Sequence, residues 1–154
     1  MIPPEPVSCD IAIVGGGLAG GLAALALARR RPDLDVRLIE PGAVGGNHIW
    51  SFFDADIDAD DRWLVEPLIG HRWDGYDVAF PAHRRSVPMP YNSITGEALA
   101  EAVAAALPAD RLIAKSAILL APQAVGFDDG TRLGARHVID ARGAGELGDL
   151  DCGW

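Results

Sequence analysis

The chain has 154 residues, a formal net charge of −9 at neutral pH and a pI near 4.7. A length of this order suits one domain that buries roughly 68 to 70% of its unfolded surface, so a full core needs no disulfide support. The acidic balance argues against a nucleic-acid partner, because a duplex binder gains affinity by setting Lys and Arg on phosphates.

Residues 1–6 have neither the basic start nor the apolar stretch of a secretory signal, and the strand after them is too short to span a bilayer. The two cysteines, Cys9 and Cys152, give neither a metal-ligand spacing nor a disulfide framework. A reduced cytoplasmic setting is expected, with the chain soluble or peripheral to a membrane.

Cys9-Asp10-Ile11-Ala12-Ile13-Val14 reads as an apolar strand that runs directly into Gly15, Gly17 and Gly20, spaced G-x-G-x-x-G. Gly15 permits a tight turn, Gly17 removes the side chain where a pyrophosphate approaches the backbone, and Gly20 lets the following helix lie close to the strand. That helix, read over residues 18–31, points its free N–H groups and dipole at the phosphates. Pro32-Asp33 breaks it, and Val36-Arg37-Leu38-Ile39 forms a second buried strand ending in Glu40, 20 residues after Gly20. An acid at that place accepts hydrogen bonds from adenosine ribose hydroxyls and repels a 2′-phosphate. Strand, glycines, helix and acid agree on a dinucleotide site, against a glycine-rich turn with no ligand.

Residues 41–50 form a glycine-containing loop. Within it, Gly45, Gly46 and Asn47 either approach a cofactor or simply turn the chain out of the second strand. His48 reads as a structural hydrogen bonder or a group that orients a proton, and Trp50, Phe52 and Phe53 as core aromatics or an apolar tunnel. The acidic run 54–61 imitates a calcium loop, but Ala59 stands where the glycine belongs and Val65 where the bidentate Glu belongs. It reads as a solvated loop, and no metal is expected.

Residues 73–81 and 84–91 read as a hairpin. Residues 93–96 offer a helix cap, Glu97 suits the positive first turn, and a helix over 98–107 stops at Pro108. A strand over 111–113 follows, then a hairpin over 124–133 around Asp128-Asp129-Gly130. Residues 136–143 form an apolar strand that finishes in small residues. In it, Asp140 reads as a buried carboxylate capped by backbone N–H groups, and Arg142 as a phosphate contact or the partner of an acid. The element order gives an α/β domain with a mostly parallel sheet.

The glycine fingerprint, Glu40, the block Gly45-Gly46-Asn47-His48-Ile49-Trp50-Ser51-Phe52 and the run Val138-Ile139-Asp140-Ala141-Arg142-Gly143 together resemble the N-terminal part of bacterial lycopene cyclases. The resemblance extends to Asp151-Cys152-Gly153-Trp154, and the second block carries it far more specifically than the fingerprint does. It implies a Rossmann-like FAD-binding domain over residues 1–154, with an inserted β-hairpin or meander, at the start of a longer two-domain flavoprotein. The implied cofactor contacts are Gly15, Gly17, Gly20, Glu40, Gly45, Gly46, Asn47, Ala141, Arg142 and Gly143; Ala141 and Gly143 are small so that the last strand passes the cofactor without a clash.

The resemblance further implies FAD in its reduced form, NAD(P)H as electron source, and a polyene substrate such as lycopene. One end of the polyene is protonated, the carbocation closes a β-ionone ring and a proton leaves, with no net redox change. The full-length protein would meet the membrane peripherally. The acidic motif proposed for this family's catalysis lies beyond Trp154, so no catalytic residue is assigned and cyclisation by this portion alone is not expected. Two alternatives stand: a flavin monooxygenase or geranylgeranyl-reductase-like oxidoreductase, and a non-catalytic dinucleotide-binding module.

Overall fold

The computed structural model describes residues 7–143. Residues 1–6 and 144–154, Cys152 among them, therefore lie outside the described residues.

The first βαβ unit forms as expected. Strands β1 (Val7–Val14) and β2 (Val36–Ile39) pair in parallel, with Ile13 opposite Leu38, and α1 (Leu18–Arg30) joins them. Val36, Leu38 and Ile39 are all buried, the near-continuous apolar pattern of a parallel strand covered on both faces. Ile13, Val36 and Leu38 pack in one cluster with Ala24 of α1, whereas Ala12, Val14 and Ile39 belong to a second cluster on the opposite face.

The expected aromatic loop end is instead a strand. Residues 49–53 form β3 (Ile49–Phe53), followed by two short 3-10 turns, the four-residue α2 (Arg62–Val65) and β4 (Ile69–Trp73). Next come the foreseen hairpin, β5 (Tyr76–Phe80) with β6 (His83–Val87), and then β7 (Tyr91–Thr95). β7 sits between β3 and β4 in a three-stranded antiparallel sheet. Its alternation explains the aromatics: Trp50 and Phe52 pack against the core, while Phe53, Tyr91 and Trp73 stand in register with ring centroids 5.2 and 5.9 Å apart. The acidic run is tied rather than freely solvated at its start. Asp54 takes Arg62 at 2.6 Å and the amide of fully buried Asn92 at 3.2 Å, and Asn92 in turn accepts from Arg72 at 3.0 Å.

Thr95 ends β7 and caps α3 (Gly96–Ala106), its hydroxyl accepting from the Ala98 N–H. Leu99, Val103 and Leu107, spaced four apart, are buried, and the Leu99 methyls lie where a side chain on Gly21 of α1 would be. Then follow β8 (Leu112–Ile113), β9 (Ala117–Ala121), β10 (Ala124–Phe127) and β11 (Arg132–Asp140). The sequence gives no warning of β9, and the two strands expected after residue 130 are one continuous strand.

The main sheet has the order β8-β2-β1-β11-β10-β9, parallel from β8 to β11 and antiparallel beyond. Four Cα steps separate Ile113 from Ala117, a reach of about 14 Å, yet five strand spacings come to about 24 Å. The ladder must therefore fold back over itself. β11 supplies the hinge: residues 132–134 pair with β10 and residues 134–140 with β1. Helices α1 and α3 thus cover one face of the parallel strands, and the β9-β10-β11 meander covers the other through Val125, Phe127, Leu133 and Ala135.

Candidate functional site

The carboxyl ends of β1, β2 and β11 open together into a cleft of about 550 Å³. A parallel sheet builds its ligand sites at this edge, because loops there are free to vary and the following helix presents its N-terminus. Of the expected contacts, Gly15, Gly17, Glu40, Gly45, Gly46, Ala141, Arg142 and Gly143 line the cleft. Gly20 does not line it; it packs α1 onto the glycine turn, where a Cβ would fall inside the envelope of the Gly15 carbonyl. Asn47 is exposed and is not among the lining residues.

The glycines have different reasons to be glycine. Gly15 has φ +107°, and a side chain on it would stand 2.5 Å from the Ala141 carbonyl oxygen. Gly16, a free position in the motif, abuts the acid: a Cβ there would lie 2.8 Å from Glu40 Cβ. Gly17 differs from both. Its φ of −70° and ψ of −170° suit any residue, and nothing of the protein lies within 4 Å of where its Cβ would be. Neither conformation nor packing requires glycine at 17. An open cradle at the N-cap of α1, beside N–H groups that have no intrahelical acceptor, fits the diphosphate of a dinucleotide. The first turn of α1 carries no acid, in contrast to Glu97 in the first turn of α3.

Glu40 follows β2 and turns toward the cleft, held by two backbone donors: Gly16 N–H at 2.8 Å to Oε2 and Gly42 N–H at 3.0 Å to Oε1. Each carboxylate oxygen keeps a second lone pair for a hydroxyl donor. Gly45 is fixed by the fold as well as facing the cleft. Its φ is +78°, its N–H donates to the Gly16 carbonyl at 2.7 Å, and a Cβ would lie 2.7 Å from Gly96 Cα. The specific Gly-Gly-Asn-His block therefore seats the N-terminus of α3 against the glycine turn, and the Gly96 N–H closes the crossing on the His48 carbonyl at 2.8 Å.

His48 and Trp50 also line the cleft, with ring centroids 5.8 Å apart, and Trp50 packs against the core beside Phe52 as well. Asp140, expected to be buried, is exposed, and it pairs with Arg142 at 2.8 Å. Two residues from it in sequence, the guanidinium holds the Asp140 carboxyl below the usual carboxylate range.

Lys115, Ser116 and Ala117 line the cleft without any signal in the motifs. They follow β8, whose Ile113 carbonyl receives the Glu40 N–H at 3.0 Å, so a parallel partner of the strand before the acid was the available clue. The Lys115 ammonium reaches away to Asp129 at 2.8 Å and Thr131 at 2.9 Å, over the Phe127 ring. This contact holds the Asp129 carboxyl well below its ordinary range.

Among the described residues no group of three or more potential metal ligands comes together, and no helix is long and apolar enough to cross a membrane.

Residues 10–153 match the family described as Lycopene cyclase protein. The chain is 40% identical over 146 residues to a lycopene beta-cyclase of Pseudescherichia vulneris, covering 94% of this chain and 38% of that protein. It is 35% identical over 147 residues to a lycopene beta-cyclase of Pantoea ananas, again covering 94% of this chain and 38% of the relative. The chain thus spans well under half the length of the curated relatives it matches. Among solved structures, the tetrameric form of 2-methyl-3-hydroxypyridine-5-carboxylic acid oxygenase superposes with a TM-score of 0.63 at 17% identity, covering 84% of this chain and 38% of that one. A likeness at that identity speaks to the fold, a Rossmann-like α/β domain.

Proposed function

The chain belongs to the lycopene cyclase family, and from that premise we propose that it forms the dinucleotide-binding portion of an FAD-dependent lycopene β-cyclase. The observation that carries the reading is the open cradle at Gly17, glycine where the protein itself makes no demand for it. Gly17 and the first turn of α1, Leu18 and Ala19, present backbone N–H groups to the diphosphate, while the Gly15 and Gly16 N–H groups are held by the Ile39 carbonyl and by Glu40 and shape the turn. Glu40, aimed by Gly16 and Gly42, accepts from the adenosine ribose. Ala141 and Gly143 keep the end of β11 low beside the cofactor, and Gly45, Gly46, His48 and Trp50 form the wall on the side of the β2–β3 loop.

When bound and reduced by NAD(P)H, FAD supplies electron density that stabilises a carbocation formed from a polyene end. The residues of this chain hold and orient the cofactor, and Trp50 and its neighbours exclude water from one wall of the site. The polyene is lycopene or a close relative, its ends closing to β-ionone rings without net redox change. Peripheral contact with a membrane delivers this water-insoluble substrate.

A chimera tests the reading. The segment of the Pseudescherichia vulneris relative that aligns with this chain is replaced by residues 1–154, and the fusion is expressed in lycopene-accumulating cells. Cyclic carotenoids and a bound flavin spectrum are the expected result. A folded, flavin-loaded fusion that leaves lycopene unchanged would refute the cyclase assignment, and oxygen-coupled nicotinamide oxidation or hydrogenated products would replace it with the oxidoreductase reading.

A further inference from the structure

The cleft is lined by three charged side chains among the described residues, Glu40, Lys115 and Arg142, and each already has partners. Glu40 takes two backbone N–H groups, and Lys115 is fixed by a carboxylate, a hydroxyl and a ring face. Arg142 is held differently. A single acid two residues away binds its guanidinium side-on, Nε to Oδ1 at 2.9 Å and Nη2 to Oδ2 at 2.8 Å. The Arg142 backbone N–H also donates to Asp140 Oδ1 at 3.2 Å, and both side chains are about half exposed, at 47% and 50%, so the paired guanidinium is open to a competing anion from the cleft.

The backbone of Arg142, by contrast, is pinned against the glycine turn. The Ala141 N–H donates to the Val14 carbonyl at 2.7 Å, and the Arg142 nitrogen lies 2.8 Å from where a Gly15 side chain would begin. A fixed backbone and a solvent-open guanidinium thus meet beside the glycine turn, on the lining of the same cleft.

We propose that Asp140 and Arg142 form an exchange pair, in which the guanidinium leaves Asp140 for the diphosphate of a bound dinucleotide and returns when the cleft empties. Asp140 is a positioning residue in this scheme and never touches the ligand. It parks the arginine where a strand-local contact suffices, and a diphosphate offers the same fork geometry with greater charge. Lys115, with its three partners, stays in place. The pair remains charged at neutral pH, because Arg142 keeps the Asp140 carboxyl below its usual range. The inference rests on the dinucleotide reading of the cleft and adds to it which side chain answers the phosphates.

The test compares ADP with adenosine as probes, by calorimetry on the purified chain. Asp140→Asn removes the competing charge while keeping the shape, and its melting temperature reports that the fold survives. The expected result is ADP binding about two- to fivefold tighter, the size of a lost surface competitor, with adenosine unchanged and a steeper decline of ADP affinity with salt. Arg142→Gln is expected to weaken ADP binding and to abolish the effect of Asp140→Asn in the double variant. An Asp140→Asn effect that is absent, equal for both probes, or retained in the Arg142→Gln background overturns the exchange. Loss of ADP binding in Gly17→Val alongside such a null result leaves the cleft reading standing, so the two failures are distinguishable.

Discussion

Replacing Gly17 by valine is expected to abolish binding of FAD and ADP while leaving the fold intact. The residue sits at ordinary extended angles, φ −70° and ψ −170°, and no protein atom lies within 4 Å of a Cβ built on it. The structural cost is confined to a poorer N-cap, about 1 kcal/mol or less. The ligand cost is much larger, because the new side chain fills the space a phosphate needs beside the N–H groups of α1. Losing two charge-assisted hydrogen bonds, at about 1.5–3 kcal/mol each, weakens binding by at least about a hundredfold. Calorimetric titration with ADP, paired with a thermal melt, reads both quantities. Undiminished ADP affinity would move the phosphate site elsewhere.

Three residues on, the opposite outcome is expected. Gly20→Ala adds one methyl group, and that methyl lands inside the Gly15 carbonyl oxygen. Backbone cannot rotate away as a side chain tip can, so α1 must lift off β1 and break its packing with Leu99 and the strands beneath. Overpacking of this kind typically costs about 1–3 kcal/mol and sometimes more, and a direct collision with backbone belongs at the upper end. For a domain of this size the melting temperature should fall by on the order of 10 °C. Binding would decline with it, as a consequence of the displaced helix. A Gly20→Ala protein that melts like the parent would contradict the close helix–strand crossing. The two glycines belong to one motif yet separate cleanly: one serves the ligand, the other the fold.

The sequence made the first βαβ unit legible because every signal in it is local. An apolar run, three spaced glycines, a helix break and an acid lie within about one supersecondary unit, and each has a single physical reading. The helix capped by Thr95 is equally plain, since cap, first-turn acid and apolar spacing coincide there. What was not legible depends on pairing between distant segments. Ile49 and Trp50 read as the end of a glycine loop, and only Tyr91–Thr95, some forty residues later, supplies the partner that makes residues 49–53 a strand. Lys115, Ser116 and Ala117 reach the cleft because β8, which they follow, pairs in parallel with β2, and no motif in those residues announces it.

The site shows the same division. In the sequence Gly45 and Gly46 suit either cofactor contacts or a turn, and the structure gives Gly45 a structural duty, the crossing with Gly96, together with a place on the cleft wall. Gly16 occupies a free position of the motif, and only the fold reveals that it makes room for Glu40 and donates to it. Asp140, placed in an apolar strand, suggested burial. The strand runs out of the sheet at that point, and the acid emerges to meet Arg142.

Amide chemical shifts test the central claim most directly. In a nitrogen-15 labelled sample titrated with ADP, the N–H signals of Gly17, Leu18 and Ala19 should move furthest and saturate together, while those of the β5–β6 hairpin stay put. If those three amides hold still as the nucleotide saturates the protein, the N-terminus of α1 does not receive the diphosphate, and the cofactor site built on it is wrong.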